Sequence, residues 1–306
     1  GDLMFPIIPA NTLASGISPP QKGIFAYGIS SSGNVSVSNL VSSSGVVATD
    51  TTGVGTVREG SYGASYGTDK AIFAYGRNGS DISVSNLVSN SGVVATDTTG
   101  VGTARINLSA SGYGGDKATF AYGRSGGTYV SMSNLVNNLG VVASDVTGVG
   151  TAREESAAST YGGDKAIFGY GYNGGLIGVT NLLTNVGVVG SDVTGVGTSR
   201  RQLAACSFGG DRAIFGYGYN NSSQLSMTNL VSNSGVVASD VTGVGTARRL
   251  LTACGYGGDK GIFGYGWSSY MSLTNLVNNS GVVSSDVTGV GTARRAAAAA
   301  SFSLTA

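Results

Sequence analysis

The sequence predicts an all-β fold: a six-bladed β-propeller with three or four short strands to each blade, closed by overlap of the chain termini. Three observations lead there. A tetrad Phe-Ala/Gly-Tyr-Gly begins at Phe25, Phe73, Phe120, Phe168, Phe215 and Phe263, every 47 or 48 residues, and a period of 40 to 50 is that of propeller blades. An Asn-Leu pair follows each tetrad, and an aspartate follows each pair, in the same order six times. Glycine, 52 of 306 residues, interrupts every candidate helix, where each would cost about 1 kcal/mol.

Each unit divides into β-prone pieces. In "DKAIFGYG" side chains alternate, so Phe168 and Tyr170 share one face and Ile167 and Gly169 the other, with the glycine leaving room for a neighbouring sheet. "GVTNLLTNVGVVGSDVTG" reads as strand, turn and strand, and "GTSRRQLAACSFGG" supplies a further small-residue run before a Gly-Gly turn. Such a meander is apolar on both faces, so the units must shelter one another, and a ring leaves no exposed end. The last run, Ala296 to Ser303, has no hydrophobic strand after it and is expected to pair with the first unit. Leu13 and Ala14 compete for that place, although Pro19 and Pro20 stiffen their route. The domain reading is therefore a propeller over 21–306 preceded by an arm over 1–20. The arm's apolar "LMFPIIP" either folds back or anchors the protein to another subunit.

Composition limits the chemistry. Seventeen basic and 16 acidic residues give a net charge of +1, which offers no electrostatic reason to expect nucleic acid or an anionic membrane, and no apolar run is long enough to insert in one. There is no histidine, so nucleophilic triads and histidine metal cages are excluded; no cofactor, metal or catalytic residue is expected. The recurring Asp50, Asp97, Asp145, Asp192, Asp240 and Asp286 read as turn formers. The recurring Arg58, Arg105, Arg153, Arg200, Arg248 and Arg294 read as ties between units, and the tetrad tyrosines as packed rings with a bonded hydroxyl. Cys206 and Cys254 are expected to be free, packed thiols.

Function is sought where the copies differ. The segments after the tetrads, beginning at residues 29, 77, 124, 172, 219 and 267, are expected on one rim. They form a candidate binding crown of Tyr129, Tyr172, Asn173, Tyr219, Asn220, Asn221, Gln224, Trp267 and Tyr270. Aromatics beside amides suit a sugar face or a neutral protein surface.

The run "GTSRRQLAACSFGGDRAIFGYG", residues 197–218, with "SLTNLVNNSGVV", residues 272–283, resembles the kelch repeat, without its tryptophan and full Gly-Gly pair. The wording "YGGDKAIFGYG…DVTGVGTAR" is also similar to tandem-repeat virion or tail-associated proteins of tailed bacteriophages. The resemblance implies kelch-like four-stranded blades, and a non-enzymatic structural and binding propeller in a virion, tail-associated, that meets other virion or surface-assembly subunits and a glycan or host-surface protein. The alternative it leaves is a bacterial extracellular lectin or interaction propeller.

Overall fold

The structure, a computed structural model, describes residues 21–302; the arm and its expected anchoring role lie outside the described residues. Six three-stranded antiparallel sheets carry the repeats. The middle strands are Lys22–Ala26, Lys70–Asn78, Lys117–Ala121, Lys165–Tyr172, Arg212–Tyr219 and Lys260–Trp267. Each is flanked by an outer strand that follows it in sequence, ending at Val41, Val88, Val136, Leu183, Val231 and Val277. On the other side lies a small-residue strand, here called inner: Ala298–Phe302, Tyr62–Tyr66, Ser109–Tyr113, Ala157–Tyr161, Ala204–Phe208 and Thr252–Tyr256. The first sheet takes its inner strand from the far end of the chain, in a register running from Lys22 opposite Phe302 to Ala26 opposite Ala298.

The expected six-bladed, kelch-like closed propeller is corrected by this architecture. The repeats form three-stranded sheets, not four-stranded blades; two further two-stranded ribbons, Ile29–Ser30 with Gly33–Asn34 and Arg124–Ser125 with Thr128–Tyr129, complete eight small sheets, none of them closed on itself. The piece read as a fourth strand touches its sheet only at isolated bridges, such as Leu183 with Val189 and Thr180 with Val193. Its aspartate and the glycine-rich stretch beyond are engaged with the adjacent repeat, so the chain leaves before a ladder can build.

Alternation in the middle strand places apolar side chains on both faces, and both faces are covered. Ala166, Ile167, Phe168 and Tyr170 are all fully buried. A Cβ on Gly169 would lie 2.7 Å from the Phe215 ring of the next sheet, and one on Gly216 equally close to Phe263; glycine there is what lets the sheets approach. Phe215 in turn meets Tyr170 edge to face at 5.3 Å, a contact made between all six neighbouring pairs of sheets and worth about 1 kcal/mol beyond area burial. The tetrad tyrosines hold φ of 61 to 64°, with a register shift between Gly169 and Gly171. This kink turns the Tyr170 hydroxyl to donate to Val196 O at 2.9 Å.

Buried arginines join the sheets. Arg153 is completely buried, lies 4.0 Å over the Tyr122 ring of the preceding sheet and donates to Asn181 Oδ1 of its own sheet at 2.8 Å and to Thr151 O at 3.0 Å. The other five arginines of the set are equally buried over the equivalent tyrosine. The aspartates do more than form turns. Asp240 accepts from Thr198 N, from Thr198 Oγ1 at 2.7 Å and from Asn229 Nδ2 at 2.9 Å, clasping a segment 42 residues earlier. Asp50 makes the same clasp with Thr292, between the first sheet and the last linker.

Inner strands pack in succession, the one at Ala298–Phe302 touching that at Tyr62–Tyr66. At one end, Gly60, Asn107, Glu155, Gln202, Leu250 and Ala296, all with φ of 50 to 59°, each donate a backbone hydrogen bond to the one before, and Gly60 donates to Ala296 O at 3.0 Å. The bonds form one circuit of six.

Candidate functional site: an arginine–aromatic belt

The divergent segments follow the kinked Tyr-Gly pair of each middle strand, and they meet around the end of the molecule that carries the backbone circuit. Contacts pass between them. Asn34 Nδ2 donates to Arg77 O at 3.1 Å, Gly126 N donates to Asp81 Oδ2 at 3.2 Å, and Tyr129 meets Tyr172 edge to face at 6.2 Å.

Beyond Tyr172 the contacts become a stack of alternating cations and rings. Arg201 lies 4.4 Å over Tyr172 and 5.6 Å from Tyr219; Arg249 lies 4.4 Å over Tyr219; Arg295 lies 4.8 Å over Trp267 and 5.9 Å from Tyr270. Trp267 and Tyr270 pair edge to face at 4.8 Å. The backbone explains the alignment: Arg201 bridges to Tyr219 and Arg249 to Trp267, at the tips of two middle strands, and Arg295 bridges to Ile29 in the first two-stranded ribbon. Cation and ring attract through the ring quadrupole, by about 0.5–1 kcal/mol where water still reaches.

Of the sequence-predicted crown, five aromatics, Tyr129, Tyr172, Tyr219, Trp267 and Tyr270, join this belt and are partly exposed. Gln224, with its amide turned to donate, reaches the backbone oxygens Trp267 O at 2.7 Å and Ala247 O at 3.2 Å. The other amides do not join. Asn220 Oδ1 accepts from Ser222 N and Ser223 N in a tight turn, Asn221 sits at φ 69°, and Asn173 is exposed at a hairpin tip. Sequence reasoning missed the three arginines. Their signal was a doubled arginine at 200–201, 248–249 and 294–295, where the other repeats read Arg-Glu or Arg-Ile: the first of each pair is the buried tie, the second faces the belt.

Charge is uneven around this end. In the second and third repeats it is neutralised locally: Arg77 pairs with Asp81 at 2.8 Å, and Arg124 lies 3.6 Å from Glu154, which also accepts from Asn107 Nδ2 at 2.8 Å. Arg201 has Glu155 at 3.3 Å, and burial pushes the Glu155 carboxyl above its usual range against the donating Gln202 amide at 2.6 Å. Arg249 and Arg295 make no close ion pair among the described residues, although Arg249 also acts on the Glu155 carboxyl, and the Nε atoms of Arg201, Arg249 and Arg295 are buried without a hydrogen bond. Three guanidiniums therefore face one carboxylate. Among the described residues no group of histidine, cysteine and acidic side chains is placed to hold a metal, and no helix is long and apolar enough to cross a membrane.

No family model matches the chain, and no curated protein matches it. The resemblance to kelch repeats and to phage virion or tail proteins is overturned by that result and by the three-stranded sheets, and the adhesive propeller function drawn from it goes with it.

Proposed function

We propose that this chain is a non-catalytic binding protein that takes an anionic ligand on the arginine–aromatic belt of its fourth, fifth and sixth repeats. The observation that carries the reading is the pair Arg249 and Arg295, held on ring faces and making no ion pair among the described residues, with Glu155 as the carboxylate that feels the charge of Arg249. A guanidinium stays charged at any physiological pH, and stacking fixes its plane, so its fork is preset for carboxylate or sulfate oxygens. The neighbouring Tyr172, Tyr219 and Trp267 offer apolar area to whatever carries the anion.

Calorimetric titration with dextran sulfate, with unsubstituted dextran as control, tests this at low salt. Binding is expected for the sulfated polymer alone, weakening as salt rises. The double variant Arg249→Gln, Arg295→Gln should weaken it by tenfold or more, since each charge-assisted bond contributes about 1.5–3 kcal/mol. Equal binding of dextran, or an unaffected double variant, overturns the proposal.

A further inference from the structure

A cavity of about 240 Å³ runs between the six inner strands and opens at the end opposite the belt, where the Gly-Gly-Asp-Lys turns lie. Its lining follows from strand alternation, because every second residue of an inner strand faces it. One level is methyl groups: Ala110, Ala158, Ala205, Ala253 and Ala299, with Gly63 in the sixth place. The level above is a collar of hydroxyls and bare backbone: Ser65, Thr160, Ser207 and Ser301, with Gly112 and Gly255 between them. Beneath the methyls, Leu203 and Leu251 lie under the backbone circuit, so the space is a cup with an apolar floor.

The collar has a defined hydrogen-bonding polarity. Ser65 Oγ donates to Ser301 O at 2.7 Å, Thr160 Oγ1 lies 3.3 Å from both Gly112 O, to which it donates, and Ser111 Oγ, and Ser301 Oγ donates to Gly255 O at 2.9 Å while accepting from Gly255 N with one of its lone pairs. Their hydrogens are spent on carbonyls, whereas a hydroxyl oxygen keeps acceptor capacity. Ser207 Oγ has no hydrogen bond among the described residues; it would lie 3.0 Å from a Cβ on Gly255, beside Gln21 Oε1 at 3.1 Å and Ser301 Oγ at 3.3 Å, so oxygen atoms crowd the bare backbone of Gly255. Among the described residues no charged side chain belongs to the collar, and the charged residues that border the cavity, Lys117 and Asp211, belong to the turns at its mouth.

We infer that this cup is a second binding site, for a small neutral polyhydroxy molecule. The ligand's hydroxyls donate to the serine and threonine oxygens while its C–H face rests on the alanine floor. At ~30 Å³ per water the space equals about eight waters, which limits the ligand to one ring or a short polyol. An ammonium donor is disfavoured because the collar holds no carboxylate to neutralise it.

Saturation-transfer NMR with myo-inositol, glucose and ethanolammonium tests the assignment on the full chain. Saturable binding of a neutral polyol, with a dissociation constant on the order of 1 mM, is expected. Ala205→Leu, which fills the floor, should abolish it. Ser207→Ala, which removes only a hydroxyl and keeps the assay informative should the leucine variant not fold, should weaken it about tenfold. The double variant Arg249→Gln, Arg295→Gln should leave it unchanged, which separates this site from the belt. No saturable polyol binding, binding of ethanolammonium alone, or binding indifferent to both cup variants overturns the inference.

Discussion

At the scale of single residues, repeats that look interchangeable are matched pairwise. Cys206 and Cys254 are free and buried, and burial pushes the Cys254 thiol up to about 12. Each sulfur fills a methyl-sized space. A Cβ on Gly261 of the next middle strand would lie 2.5 Å from Cys206 Sγ, and one on Gly23 would lie 2.7 Å from Cys254 Sγ. The other four middle strands carry alanine at this place, Ala71, Ala118, Ala166 and Ala213, and the corresponding inner-strand residues, Ala300, Ala64, Ser111 and Ser159, are smaller than cysteine. Gly261→Ala should therefore destabilise the protein by about 1–3 kcal/mol through overpacking, and Cys206→Ala in the same chain should restore most of it. Denaturant melts of the two singles and the double decide this; additive losses would show that the two positions do not share a space. The pairing was visible in sequence as a coincidence of Cys and Gly, but only the packing of consecutive sheets shows that the two residues meet.

Among the elements, the linker between outer and inner strands holds neighbouring repeats together through charge. For Asp50, Asp97, Asp145, Asp192, Asp240 and Asp286, partial burial raises the carboxyl pKa, but donation from the threonine side chain, the asparagine amide and the threonine N–H outweighs it, and each settles below the ordinary aspartate value. A folded-state pKa below the unfolded one gives stability that is complete above the unfolded value and is lost as pH falls through the folded one. Thermal midpoints should hold from neutral pH to about pH 5 and drop steeply below about pH 4, with six sites titrating in the same window. Asp240→Asn should flatten part of that drop while lowering the midpoint at neutral pH; a midpoint unmoved down to about pH 2 would refute the clasp. The aspartates were read in sequence as local turn formers because a partner some 40 residues earlier leaves no trace in local spacing.

For the whole molecule, the seam lies where the inner strand Ala298–Phe302 completes the first sheet and Thr292 meets Asp50. Ile24 and Phe25 are fully buried beside it. A chain ending at Arg295 leaves that middle strand with an open edge, and is expected to lose its cooperative melt and self-associate in size-exclusion chromatography, with recovery on adding a peptide of residues 296–306. A monomeric, cooperatively melting truncation would show that the strand is dispensable. The β content and the repeat boundaries were legible because Phe-Ala/Gly-Tyr-Gly and Asn-Leu recur with fixed spacing. The fourth strand was not, because Val-Thr-Gly runs alternate like strands while their neighbours are spent on clasps. In the candidate site the aromatics were legible as departures from the consensus; the arginines were hidden because a doubled Arg looks like one conserved tie with a spare charge.

The circuit through Gly60, Asn107, Glu155, Gln202, Leu250 and Ala296 accepts a glycine and five different side chains in one backbone shape, so that shape is imposed by the assembled molecule and not by any local code. A chain recut at the exposed Gly126–Gly127 turn, with a flexible tether joining residue 302 to residue 21, is therefore expected to regain the same six backbone bonds, with slow amide exchange at Asn107, Glu155, Gln202, Leu250 and Ala296 as the readout.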